Sequence, residues 1–96
     1  MTHFLVENAK GPAWDHSLRR REQPGWDEHA AFMDALVEGG FIVLGGPIGE
    51  GDGENTLLVV EADDEAAVRE RLGADPWWES VLRIDSIRPW SIWLRR

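Results

Sequence analysis

The hydrophobic positions of the chain repeat with period two in some stretches and with the longer period of a helix in others. Residues 3–7 alternate as a first strand. Residues 41–44 are continuously apolar, which predicts a strand buried on both faces and ended by the Gly-Gly-Pro at 45–47. Residues 56–61 form the next strand. The polar, Gly-rich stretch 49–55 between them predicts a turn, and therefore an antiparallel hairpin.

A last strand is predicted over about residues 81–94. Its apolar phase shifts along its length, and a bulge near Ser86 would account for that shift. Pro89 cannot donate a hydrogen bond to a neighbouring strand, which favours an edge position or the bulge itself.

Two helices are predicted between these strands. The first runs from about residue 24 to residue 38, with a proline in its first turn and two glycines after its end. His29 lies near the centre of its apolar face, opposite an acidic face. That apolar face consists of Phe32, Met33, Leu36 and Val37. The second helix opens at the acidic run 63–65 and closes at Gly73.

The order βαββαβ predicts an α+β fold of the ferredoxin-like kind, in which residues 1–96 form a single domain. Its four-stranded antiparallel sheet would carry both helices on one face. The other face would remain apolar, because the strand over residues 41–44 has no polar side. We therefore expect two copies to pack sheet to sheet as a dimeric α/β barrel, which makes the chain its own partner.

Composition narrows the classes of partner and cofactor. The 10 basic and 18 acidic residues leave a net charge of −8, which disfavours nucleic acid and anionic membrane surfaces. No cysteine is present, and His3, His16 and His29 show no paired ligand spacing, so we expect no cofactor and no metal. The N-terminus lacks a basic and apolar leader, which favours a cytoplasmic location.

A long connection, residues 8–23, separates the first strand from the first helix. Loops of this length in compact domains are often functional, although a solvated flap is the alternative. Arg19, Arg20 and Arg21 could bind an acidic ligand, with Arg21 as the candidate contact, or could balance the acidic surface. Asp15 and His16 are a weaker candidate pair in the same loop.

Four tryptophans lie before the first helix, near its start, or after the second helix. Trp14, Trp26 and Trp77 are candidates to line an apolar pocket for an aromatic ligand, and Trp78 belongs to the same group. Packing in the core or in a dimer interface is the alternative.

Two further residues could carry acid–base chemistry. His29 can exchange a proton near neutral pH, but a histidine on an apolar helix face is often a core residue with satisfied hydrogen bonds. Asp75 precedes Pro76, and such a pair commonly starts a helix, with the carboxylate as its cap. A capping carboxylate can still bind another group with its second oxygen.

Several short motifs resemble the YCII-related family. They are the stretch 26–36 with an early histidine, the strand 40–47 ending in Gly-Gly-Pro, the Asp-Pro-Trp at 75–77 and the Pro-Trp at 89–90. The resemblance implies a dimeric α/β barrel with a His–Asp pair, here His29 and Asp75, in a cleft. Some members are implicated in eliminating chloride from chlorinated, hydroxylated aromatic compounds. The loop 11–23 is longer than in the shorter members.

Three hypotheses follow for the function. In the first, the chain is a cofactor-free enzyme in which His29 acts as acid and base, oriented by Asp75, on a small aromatic or lactone-like compound. Elimination or isomerisation would be the reaction, since no nucleophile or nucleotide motif is present. In the second, the chain binds a ligand or assists a pathway enzyme without chemistry. In the third, it is a structural dimer.

Overall fold

The computed structural model describes residues 2–50 and 55–96. It contains four strands, two α-helices and one short 3-10 helix at Arg20–Glu22. In chain order the elements are β1 (Thr2–Lys10), α1 (Trp26–Glu38), β2 (Ile42–Pro47), β3 (Thr56–Ala62), α2 (Glu65–Leu72) and β4 (Leu82–Pro89). The central part of the predicted hairpin turn, residues 51–54, lies outside the described residues.

The four strands form one antiparallel sheet in the order β2-β3-β1-β4. The two central strands are therefore the first and the third, and the two crossovers pass through the helices. This order is that of the ferredoxin-like fold, so the predicted fold class is confirmed.

Alternate residues of the central strands face the helices and build the core. Phe4 and Val6 of β1 face Val60 and Leu58 of β3 across the ladder, and all four are buried. Helix residues close this layer from above. They are Leu36 of α1 and Val68 and Leu72 of α2. The period-two pattern of β1 thus decides which face receives the helices.

The first helix begins two residues later than predicted. Gly25 is its N-cap and has a left-handed φ of 82°, which residues with a side chain rarely adopt. Pro24 therefore precedes the helix instead of occupying its first turn. The second helix agrees with its prediction, because Asp64 caps it by accepting a 2.8 Å hydrogen bond from the Ala67 amide.

Three strand boundaries were wrong. β1 continues to Lys10, because its last residues pair with Leu82 and its neighbours in β4. β2 runs through the glycines to Pro47, since an edge strand with one paired side accepts both Gly and Pro. β4 ends at Pro89, and the residues after it, through Leu94, form no strand.

The irregularity predicted in the last strand is present. Glu7 pairs with Ser86 and Asn8 pairs with Ile84, so Asp85 is the extra residue of a bulge. β4 is an edge strand, which places Pro89 where a missing donor is tolerated.

Two apolar residues are exposed in the single chain. Val37, at the end of the apolar face of α1, is 51% exposed, and Leu44 of β2 is 63% exposed. Leu44 pairs with Val59 and lies on the sheet face away from the helices, which is the face that a second copy was predicted to cover.

Candidate active site

His29 lies in the first turn of α1 and is buried, with 7% of its surface exposed. Its backbone amide donates to the carbonyl of Gly25, which places the imidazole at the start of the helix. The Nδ1 atom lies 2.9 Å from Oδ1 and 2.8 Å from Oδ2 of Asp75. The two residues are separated by 46 positions in the sequence, and the fold brings them into direct contact.

Asp75 stands in the turn that follows α2. Its Oδ1 also accepts a 2.9 Å hydrogen bond from the backbone amide of Trp77, which fixes the carboxylate within its own turn. The predicted helix start is wrong, because residues 76–80 form a turn, but the carboxylate caps that turn and also contacts His29. A carboxylate anchored in this way presents its oxygens to the imidazole without rotating.

Trp77 stacks on the imidazole. The ring centroids of His29 and Trp77 lie 4.1 Å apart, with an angle of 9° between the ring planes. Trp77 is 2% exposed, and its indole N–H donates a 2.8 Å hydrogen bond to the carbonyl of Pro24. The indole is thereby locked in place and holds one face of the imidazole, while Asp75 holds its edge.

The segment before α1 is shaped to admit this indole. A Cβ atom added to Gly25 would lie 3.1 Å from Nε1 of Trp77, so the glycine allows close approach as well as the left-handed φ. Trp77, which belongs to the Asp75 turn, can therefore pack directly against the start of α1.

The Asp75 contact selects one tautomer of the neutral His29 ring. A carboxylate can only accept, so Nδ1 carries the hydrogen and Nε2 of the neutral ring holds a lone pair. Nε2 makes no hydrogen bond with any residue of the ranges 2–50 and 55–96, and His29 lines a cleft. The arrangement therefore offers an oriented base to whatever occupies that cleft.

The cleft lies between α1 and the strands β1, β2 and β3, and its volume is about 240 Å³. Its wall is mostly apolar and includes a few polar side chains. The apolar wall includes Trp26, Met33, Val37, Ile42, Pro47, Leu58 and Leu82, and Gly45 and Gly46. The polar lining residues are Asn8, Arg20, His29, Asp34 and Thr56. This size and composition suit a small ligand with a few polar atoms.

The loop between β1 and α1 is folded against the protein instead of extending into solvent. Gln23 is 2% exposed, and its side-chain amide bonds the backbone of Asp15 and Leu18 at 2.8–3.1 Å. Ser17 donates to the Asp15 carboxylate with its hydroxyl and its backbone amide, and these bonds lower the pKa of Asp15. The loop holds Arg20 at the cleft, 5.3 Å above the Trp14 ring.

The candidate ligand-binding residues occupy different places. Trp26 lines the cleft, whereas Trp14 and Trp77 are buried beside it and pack with Val81 and Leu82. Arg21 is exposed and lies 5.7 Å above the Trp26 ring, outside the cleft lining.

Sequence reasoning missed three residues of this region. Asn8 was assigned to the loop because the first strand was ended too early. Thr56 was treated only as a strand residue, and Gln23 as the end of a connection. For Asn8 the signal was present, since it continues the alternation of Phe4 and Val6 with a polar side chain.

Two kinds of site are not found in the part of the chain that the structure describes. No group of His, Cys, Asp and Glu there could hold a metal ion. No helix there is long and apolar enough to cross a membrane.

The model of the YCII-related domain family matches residues 2–91. The chain belongs to the YCII-related domain family. Among solved structures, it is similar to 5-chloro-2-hydroxyhydroquinone dehydrochlorinase from Burkholderia phenoliruptrix AC1100, in complex with 2,5-dihydroxybenzoquinone. The two are 24% identical with a TM-score of 0.63, over 98% of this chain and 95% of that one. No curated protein matches the sequence.

Membership in the YCII-related family agrees with the resemblance seen in the short motifs. The structural similarity supports the ferredoxin-like fold of this family member along its whole length. At 24% identity it establishes the fold and not the reaction.

Proposed function

We propose that this YCII-related protein is a cofactor-free acid–base enzyme that removes a leaving group from, or isomerises, a small ring compound. The observation that carries this proposal is the contact of 2.8–2.9 Å between His29 and Asp75, at a cleft that His29 lines. A base held at its far nitrogen by a carboxylate is suited to proton transfer at its near nitrogen.

Dehydrochlorination of a hydroxylated aromatic ring is the first reaction to consider. The similar solved protein is named a dehydrochlorinase of 5-chloro-2-hydroxyhydroquinone, and its structure contains a dihydroxybenzoquinone. The cleft of this chain, about 240 Å³, accommodates a ring of that size. Both facts support the choice of substrate class, a chlorinated and hydroxylated ring.

Loss of HCl from such a ring needs only proton transfers. His29 removes a proton from a ring hydroxyl, and the electron pair moves through the ring, so that the carbon bearing chlorine accepts a proton from the imidazolium. The imidazole, neutral again, then accepts the proton of a second hydroxyl while the chlorine leaves with the C–Cl electron pair as chloride, and the imidazolium releases that proton to solvent. Two O–H bonds become C=O bonds and one C–Cl bond becomes C–H, which balances without an external oxidant. Asp75 stabilises the imidazolium during the transfer.

Release of chloride from 5-chloro-2-hydroxyhydroquinone by the purified protein tests this proposal. We expect chloride to appear in proportion to enzyme, above the rate without protein, together with the absorbance of a hydroxyquinone product. Absence of chloride release and of any isomerised product, from a protein that is folded and binds the ring, would favour a ligand-binding or accessory module instead.

We also propose that the protein acts as a homodimer in the cytoplasm, with the sheet face away from the helices as the interface. Alternation places Leu5, Leu57 and Val59 on that face, opposite the core residues of the same strands. Val43, Leu44 and Val59 border a cavity of about 410 Å³ together with the segment after β4. That segment contributes Trp90, Ile92 and Leu94, and Trp90 and Leu94 are 45% and 94% exposed. Val59 is already buried in the single chain, but the exposed apolar surface of Leu44, Trp90 and Leu94 is more stable when a second copy covers it.

Light scattering at micromolar concentration tests the dimer. We expect twice the chain mass of 10.9 kDa for the native protein and the monomer mass for the Leu44→Glu variant. Val37→Glu places the same charge at an exposed residue of α1 on the helix side of the sheet, opposite the proposed interface, and is expected to remain dimeric. A native protein with the mass of one chain contradicts the proposal.

A further inference from the structure

The helix-facing side of the two central strands changes from apolar to polar along its length. The cross-strand pairs Phe4–Val60 and Val6–Leu58 are apolar and buried in the core. The next pair on the same side is Asn8–Thr56. This pair occupies the next position along the same face as the core pairs, where apolar side chains would pack equally well against the helices. The polar side chains there call for another explanation.

Asn8 is buried, with 9% of its surface exposed, in a central strand. Its side-chain amide makes no hydrogen bond with any part of the chain that the structure describes. The amide atoms are not among the fully enclosed side-chain atoms that lack a partner, so they remain accessible from an adjoining space. Its hydrogen-bond partner is therefore whatever occupies that space, which is water in the free protein and a ligand atom when a ligand is bound.

Two such spaces adjoin Asn8. One is the cleft of about 240 Å³ that His29 and Thr56 also line. The other is a cavity of about 10 Å³ bordered by Asp75 and Trp77, which has room for about one water molecule. Asn8 thus lies between the space for a substrate and the carboxylate that orients His29.

We propose that Asn8 and Thr56 form a subsite that binds an oxygen atom of the substrate, across the cleft from His29. An amide and a hydroxyl each donate and accept, so the pair can bind a ring carbonyl, a hydroxyl or its ionised form. The choice of ligand rests on the proposed function, because an oxygenated ring is the substrate class inferred for the same cleft. The subsite would select for ring oxygen and would orient the C–H or O–H group toward Nε2 of His29.

The proposal makes stability and binding change in opposite directions. Asn8→Leu replaces the amide by an apolar group of similar size in an apolar surrounding, so the melting temperature should stay the same or rise. Binding of an oxygenated ring should weaken, because the hydrogen bonds to it are lost. A residue with a purely structural amide would show the opposite result, a lower melting temperature with unchanged binding.

The probe is 2,5-dihydroxybenzoquinone, and its binding is measured by calorimetry or by quenching of tryptophan fluorescence, since Trp26 lines the cleft. We expect Asn8→Leu to bind about 5- to 15-fold more weakly than the native protein, and Thr56→Val about 3- to 10-fold more weakly. Asn55→Ala is the matched control, because Asn55 bonds Glu7 at 2.7 Å and does not line the cleft. Its affinity should equal that of the native protein.

Equal affinity of native protein and Asn8→Leu overturns the subsite, and so does a native protein that fails to bind the probe at millimolar concentration. A melting temperature lowered in Asn8→Leu with binding retained overturns it as well. These outcomes are separable from failure of the proposed function. Weaker binding in Asn8→Leu without any chloride release by the native protein leaves the subsite intact and removes the reaction.

Discussion

The His29→Gln variant is expected to remain folded and to lose turnover by about 10²- to 10⁴-fold, the range that an oriented general base contributes. Glutamine is similar in reach and can still hydrogen bond with Asp75, but it cannot exchange a proton near neutral pH. Because the native contact is local to the site, the melting temperature should change much less than the rate. Initial rates of chloride release and thermal melting measure the two effects on the same preparation.

Asp75→Asn separates orientation from proton transfer at the same site. The asparagine oxygen can still accept from the Trp77 amide, so the turn is retained. A neutral amide no longer stabilises the imidazolium. It can also donate to Nδ1, so it no longer holds His29 in the tautomer with the hydrogen on Nδ1. We therefore expect a loss of rate in the same range as for His29→Gln. The two losses should not add in the double variant, because both remove one unit.

His16→Gln is the control for these variants. His16 is an exposed histidine of the loop before α1, outside the cleft lining, and its replacement should leave the rate within about twofold. Undiminished turnover in His29→Gln would end the acid–base proposal. Retained binding of 2,5-dihydroxybenzoquinone by both native protein and His29→Gln, with no turnover by either, would instead favour a binding module.

The fold was predictable because each of its elements is encoded in a local pattern. Period-two alternation defined the first strand, and acidic residues and glycines marked the start and end of the second helix. The phase shift near Ser86 even predicted the bulge, which the structure places at Asp85. Where the prediction was wrong, as at the Gly-Gly-Pro of β2, pairing with β3 outweighed the local preference of the residues.

The site was predictable only in part, because contacts between distant segments have no local signal. His29 stood out as a polar residue on an apolar helix face, but family resemblance alone joined it to Asp75. The stacking of Trp77 on His29 could not be inferred, since it depends on how the Asp75 turn meets the start of α1. Asn8 was lost through a strand boundary error of three residues, from Glu7 to Lys10.

Trp77→Ala is expected to reduce the free energy of unfolding by about 3–5 kcal/mol, the range for truncating a buried aromatic residue. The indole is 2% exposed, packs with Trp14 and Val81, and satisfies the carbonyl of Pro24. Its removal leaves a cavity and an unpaired carbonyl between α1 and the Asp75 turn. For a domain of this size the melting temperature should fall by roughly 15–30 °C, which calorimetry can measure.

Two further variants distinguish the loss of the Trp77 contacts from a loss of stability that any substitution in this turn would cause. Trp77→Phe keeps a ring against His29 and loses only the indole N–H, so the expected loss is about 1–2 kcal/mol. Trp78→Ala changes the neighbouring tryptophan, which is partly exposed and should also lose about 1–2 kcal/mol, because less surface is buried there. Since Trp77 holds one face of His29, Trp77→Phe should retain most of the rate while Trp77→Ala loses it below its melting point. Equal stability of Trp77→Ala and Trp78→Ala would show that Trp77 does not join the two segments.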